Sequence, residues 1–200
     1  EHLLQRLVAT PEAARVFRAA ASALAQHPAA SSGRIVRHRV TNLLRASDIE
    51  PAAELLHAHV ASSWSQVRDA MATQRDLQLL DNRLSGVHLA HHLRWRAEAL
   101  RHSGTLDEAR RHAESARRTF RDYGDEQNEA HCLRLLGHIA SDLGASAQGR
   151  RLVTRALTLF NKLEDASVQA QCQVLIGEIE YLVGEHNTAK KSLSEAAQAF

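Results

Sequence analysis

The sequence predicts an all-α fold, a right-handed superhelical solenoid of about ten helices arranged as antiparallel pairs, and three observations carry that prediction. Residues recur at a spacing of 40 through the C-terminal half, at Phe120, Phe160 and Phe200, at Gly104, Gly144 and Gly184, and at Ala116, Ala156 and Ala196. A period of that size marks stacked supersecondary units, each of which buries its apolar face only against its neighbours. Within each period the apolar residues follow helical spacing, as in Leu133, Leu136, Ile139, Ala140 and Leu143, which share one stripe. Glycine closes the stripe at Gly144, the position of a left-handed C-cap.

Each element follows in chain order. Thr10-Pro11-Glu12 supplies an N-cap and a proline at the first helical position, opening a helix to about Gln26 that His27-Pro28 and the Ser-Gly run ending at Gly33 interrupt. A second helix spans Arg34 to about Ala46. Ser47 to Glu50 and Ser63 to Gln66 have the form of capping boxes, predicting helices near 48–62 and 65–82, with Asn82 to Gly86 as the next break. Residues 1–85 thus form an N-terminal helical region that can be read as degenerate repeats. Trp64 precedes Gly104 by one period and Leu80 precedes Phe120, whereas Asp76 stands in the alanine column. Residues 86–200 carry three repeats, about 90–123, 130–163 and 170–200, continuous with the first region. In the first of these, Thr105 to Glu108 reads as a capping box that starts the second helix. In the middle one, Leu152, Val153, Ala156, Leu157 and Phe160 give the second helix its apolar face.

These units resemble tetratricopeptide repeats. With units started at Ala90, Ala130 and Ala170, the family's glycine at the eighth position is met by Gly137 and Gly177, with Ala97 in the first unit. Its small residues at the twentieth and twenty-seventh positions are met by Ala109, Gly149 and Ala189 and by Ala116, Ala156 and Ala196. The large residue usual at the eleventh position is replaced by Leu100, Ala140 and Glu180, and the helix-ending proline is missing. Six residues beyond the standard 34 are expected to lengthen the connections, as in Phe120 to Glu126. The 40-residue form is similar to the repeat regions of bacterial MalT-like, SARP-type and other STAND regulators, which implies a sensor or scaffold part of a longer protein. The initial Glu1-His2 in place of methionine fits a fragment.

Composition narrows the function classes. A net charge of +2 on 200 residues is too small to argue for nucleic acid by itself, and the apolar residues form periodic stripes without a long uncharged run. The chain is expected to be a soluble cytoplasmic protein. Cys132 and Cys172 occupy one column of consecutive repeats, where helix axes ~8–10 Å apart disfavour a disulfide, so both read as small buried hydrophobes. There is no glycine-rich phosphate loop, no nucleophile elbow and no paired cysteine motif, so no enzymatic activity, cofactor or metal is expected. Thirteen histidines are the tempting exception. His88 and His92 share a helix face at the spacing of metal ligands, but without the carboxylate of a zinc hydrolase they read as exposed polar residues. His57 and His59 lie on different faces of one helix.

What the resemblance implies is recognition. The tetratricopeptide groove is lined by the first helix of each unit, and its positions map here to His91, Arg94, Glu98, Arg101 and His102, then His131, Arg134, His138, Ser141 and Asp142, then Gln171, Val174, Glu178, Tyr181 and Leu182. The expected partner is a protein or peptide with an acidic segment and an apolar end, bound more weakly as salt rises. Glu98 and His138 stand where chaperone-binding repeats have asparagine. Two rival readings are self-association through the end near Phe200, and nucleic-acid contact through the basic helix at 34–45, with Arg34, Arg37, Arg39 and Arg45.

Overall fold

A computed structural model describes residues 10–66 and 69–197, and every element among them is helical. The helices are α1 (Pro11–Ala25), α2 (Gly33–Arg45), α3 (Ile49–Gln66), α4 (Ala70–Leu77, followed by a 3₁₀ turn over Gln78–Leu80), α5 (Gly86–His102), α6 (Leu106–Asp122), α7 (Glu126–Asp142), α8 (Ser146–Lys162), α9 (Ala166–Leu182) and α10 (His186–Ala197). The expected ten helices are present among the described residues. The chain folds as two compact units, one ending at Ala99 and the other beginning at Leu100. Phe200, on which the reading of a self-associating end was placed, lies outside the described residues.

In the second unit, consecutive helices pack as antiparallel pairs, and α6 to α9 are each 17 residues long. Their turns share one chemistry. Gly104, Gly124, Gly144 and Gly184 take φ of 81°, 73°, 78° and 83°, the left-handed region that glycine enters at least cost. The next residue then donates its N–H to the carbonyl five back, Asp125 to Phe120 at 2.9 Å and Ala145 to Ala140 at 2.8 Å, closing the helix as a Schellman turn. Such a turn needs only three residues. The extra residues of the 40-residue period are therefore in the helices and not, as the sequence suggested, in the connections. Of Phe120 to Glu126, only Tyr123, Gly124 and Asp125 lie outside a helix. Thr105 precedes α6 as expected, but its hydroxyl caps nothing. Glu108 instead pairs with His112 at 3.3 Å.

The core of this unit is built from the recurring columns. Phe120, Phe160, Ala116 and Ala156 are fully buried, each phenylalanine contributing ~1.5–3 kcal/mol by leaving water. Small residues set how closely α7 and α8 approach. A Cβ on Gly137 would collide with the Val153 side chain, and one on Gly149 would lie 2.9 Å from the Gly137 carbonyl oxygen. Cys132 and Cys172 are buried in this core, and burial pushes the Cys172 thiol up to about 11.

The first unit has its own core of Val36, Val40, Ala52, Ala53, Leu56, Val60, Leu77 and Leu80. Leu80 is fully buried, as Phe120 and Phe160 are one and two periods later. Asp76 is 5 % exposed in the column elsewhere held by alanine. Its burial is compensated by Arg37, whose Nη1 lies 3.0 Å from Asp76 Oδ1. The repeat register fails at Trp64, which is buried within α3 where Gly104 forms a turn.

Both capping boxes predicted in this unit shift. Ser47 has φ 63° and ends α2 in the glycine position of a Schellman turn, with Asp48 N–H on the Leu43 carbonyl at 2.9 Å. Asp48, directly before α3, spends its carboxylate on Arg18 in two bonds of 2.6 and 2.7 Å. That pairing holds the Asp48 carboxyl below, and the Arg18 guanidinium above, its ordinary pKa. At Ser63 no helix begins. Its hydroxyl turns back to His59 Nε2 at 3.4 Å while α3 runs on, and Asp69 caps α4 by accepting from the Ala72 N–H at 2.9 Å.

Candidate functional site

Helix α7 has two faces of opposite character. Leu133, Leu136 and Ala140 are buried on one, and on the other His131, Arg134, His138 and Ser141 are half-buried at spacings of three, four and three residues. This second face is the groove lining that the sequence assigned to the middle repeat. His131 sets its ring edge-on to Phe160, 5.0 Å between centroids, so this imidazole is oriented from the core side.

The structure brings some of the assigned residues together and engages others elsewhere. Arg101 reaches Asp142 at 3.1 Å and His102 Nε2 at 2.7 Å, so the most basic part of the expected strip is neutralised internally. The cause is register, because positions twelve and thirteen of successive units come to the same height. On α9, Glu178 is exposed and Tyr181 is 63 % exposed, its ring 5.1 Å from that of His186. Leu182 and Val183 are exposed beside it.

In the first unit the remaining assigned residues lie on α5. Arg94 places its guanidinium 4.3 Å from the centre of the Trp95 ring, Glu98 is half-buried, and His91 lies 6.1 Å from His57, ring to ring. The expectation of exposed histidines on this helix is corrected. His92 is 3 % exposed and its Nε2 lies 3.1 Å from Asp81 Oδ1, which Arg96 also meets at 2.8 Å. Such a cluster is a buried polar network, in which each partner offsets the desolvation of the next. His57 Nε2 is buried and meets no hydrogen-bond partner among the described residues. Burial first, then the charges of His92, His91, His88 and Arg94, lower its pKa to about 3. Among the described residues no group of three or more His, Cys, Asp or Glu side chains is placed so that it could hold a metal ion.

Ser63, His59 and Asp76 lie together but do not form a catalytic triad. The serine hydroxyl and the carboxylate, 3.4 and 3.9 Å away, both approach the same ring nitrogen, Nε2. A triad needs one partner on each nitrogen, so that proton removal at one is balanced at the other. On the basic helix α2, Arg37 is held by Asp76 and Arg45 stacks 5.6 Å over Phe17, which takes two of its arginines out of any phosphate-binding surface.

One feature of the second unit was not read from the sequence. A cleft of about 630 Å³ runs between α6 and α8 over the apolar face of α7, with Leu133, Leu136, Ala140 and Leu143 along its floor and Arg117 and Arg155 on opposite walls. The signal for it was the alanine at position 140, where the repeat usually carries a large side chain.

No protein-family model matches the sequence, and no curated protein does. Solved structures do match in fold. Aspartyl phosphate phosphatase F from Bacillus subtilis superposes with a TM-score of 0.65 at 14% identity, over 83% of this chain and 44% of that one. BtubC from P. vanneervenii gives 0.58 at 15% identity, over 98% and 90%, and the apo form of RapI gives 0.54 at 14%, over 84% and 54%. The fold is a tetratricopeptide-like helical repeat. At these identities the likeness is one of fold alone, and this chain spans about half the length of the phosphatase and of RapI. No helix among the described residues is long and apolar enough to cross a membrane.

Proposed function

We propose that the chain is a protein-interaction module without catalytic activity, the partner-binding part of a cytoplasmic bacterial transcriptional or signalling regulator, and that it takes an acidic peptide segment on the polar face of α7. The observation that carries this reading is the half-buried line of His131, Arg134 and His138, opposite the face of Leu133, Leu136 and Ala140 and oriented in part by Phe160. Half-buried cationic and imidazole groups held on a rigid helix are suited to charge-assisted hydrogen bonds with carboxylates. Arg134 leads, because Arg101 is taken by Asp142. The neighbouring α9 offers Tyr181 for an apolar contact.

The test is an array of acidic peptides and their charge-reversed counterparts, probed with the native chain and with Arg134→Glu. Acidic peptides should be retained, should be lost at least tenfold in the variant, and should weaken with added salt. Equal retention of both peptide classes, or binding indifferent to Arg134→Glu, would refute the assignment.

Self-association is a second reading, favoured by Leu182 and Val183, 67% and 50% exposed on adjacent positions. Sedimentation should then show a concentration-dependent dimer that Leu182→Asp disperses. A monomer at all concentrations rejects it.

A further inference from the structure

The cleft between α6 and α8 lies in the middle repeat. Ala140 is the residue that opens it. One period earlier the same register holds Leu100, and one period later it holds Glu180, which is buried and accepts a hydrogen bond from Ser192 at 2.9 Å. The floor residue Leu133 likewise has Gln173 as its counterpart one period later. A volume of about 630 Å³ is in the range of ligand-binding clefts, ~300–1,000 Å³. The lining extends from Asp107 to Arg118 on α6 and from Ala145, directly before α8, to Arg155 on it, so the cleft is elongated along the helices.

Charge is ordered along its length. At one end Arg117 and Arg155, from opposite walls, share a single oxygen of Glu129, at 3.4 and 3.5 Å. Two guanidinium groups on one carboxylate leave a surplus positive charge and open N–H donors, and Arg118 adds a third cation on the α6 wall. Asp107 and Glu114 are the lining carboxylates, and Asp107 is paired with Arg110 at 3.1 Å. At the other end Ala140, Leu143 and Ala145 line the cleft, beside the first turn of α6 with its pair of Asp107 and Arg110. From the level of Leu133 or Glu129 to that of Ala140 is ~10–16 Å at the helical rise, which an extended chain covers in about three to five residues.

We propose that this cleft is a second binding site, for an extended acidic peptide that sets one bulky apolar side chain over Ala140 and a carboxylate between Arg117 and Arg155, about three to five residues apart. The site is on the opposite face of α7 from Arg134 and stands independently of the groove assignment.

The probes are fluorescein-labelled Ser-Gly dodecapeptides bearing one Phe and one adjacent Asp pair, their separation varied from none to about eight residues, with binding read by anisotropy. Affinity should peak at a separation of about three to five residues. It should fall at least tenfold in Ala140→Leu, which installs the residue found at position 100, and in Arg155→Gln, whose side chain is 59% exposed. Arg151→Gln, at an exposed arginine of α8 outside the cleft lining, should leave it unchanged, and circular dichroism should confirm that all variants are folded. Absence of binding, affinity independent of separation, or indifference to both Ala140→Leu and Arg155→Gln would overturn the proposal. Loss of binding only in Arg134→Glu would overturn it in favour of the polar face.

Discussion

At the residue scale, His57 shows how a histidine-rich sequence can mislead. Spacing placed His57 and His59 on different faces of one helix. It could not show that His57 and His92 are buried, because that depends on which tertiary surface α3 and α5 present. The consequence is measurable. Burial holds the pKa of the His57 imidazole down to about 3 against its ordinary 6.5, so between these values the unfolded chain takes up a proton that the folded chain refuses. Stability is therefore whole above about pH 6.5 and declines as the pH falls toward about 3, by ~1.4 kcal/mol per pH unit, or ~2 kcal/mol at about pH 5. His57→Leu, which keeps a buried side chain without the titrating ring, should flatten most of that decline. Thermal melts of both proteins between about pH 7.5 and about pH 5 measure it, and parallel slopes would show that the titration lies elsewhere.

At the scale of the element, helix ends were more legible than helix starts. Gly104, Gly144 and Gly184 announced three turns at a spacing of 40, and Gly124, which was not read from the sequence, adds a fourth left-handed turn that forms in the same way. Capping boxes were less reliable, since a serine followed by Glu or Gln three residues later also occurs where the hydroxyl is wanted elsewhere. Ser47 ends the preceding helix, and Ser63 turns toward His59. One turn breaks the glycine rule. Glu164 occupies the left-handed position at φ 55°, and its turn closes with a 3.2 Å bond from Asp165 to the Phe160 carbonyl, against 2.8 to 2.9 Å in the glycine turns. A left-handed non-glycine residue costs ~1–2 kcal/mol, and glycine returns ~0.5–1 kcal/mol of this as added freedom of the unfolded chain. Glu164→Gly should thus stabilise the second unit by ~0.5–1 kcal/mol, seen as a higher urea midpoint with an unchanged slope. Gly144→Ala should do the opposite, and a higher midpoint there would contradict the account.

At the scale of the whole molecule, legibility follows repetition. The second unit could be read because each column is constrained by the same neighbours in every copy: Phe120 and Phe160, Ala116 and Ala156, Gly104 and Gly144. The first unit keeps only part of that register, at Leu80 and at an Asp76 that needs Arg37 beside it, so its helix boundaries had to be read from local signals and shifted. The cleft over Ala140 escaped notice for a related reason, since a departure from a column has no meaning until the side chains that would have filled it are in place. Repetition also predicts how stability is distributed within the second unit. In a stack of helices each element is held by its immediate neighbours, so protection should follow the number of buried side chains an element contributes. Nine of the 17 residues of α7 are buried, among them Leu133, Leu135 and Ile139, whereas α10 buries Ala189 and Ala196. Hydrogen exchange of the 200-residue chain should therefore find the amides of α7 opening only with the unit as a whole, and those of α10 exchanging at least tenfold faster through local opening. Uniform protection from α7 to α10 would mean that the unit opens as a single block and that nearest-neighbour packing does not set its stability.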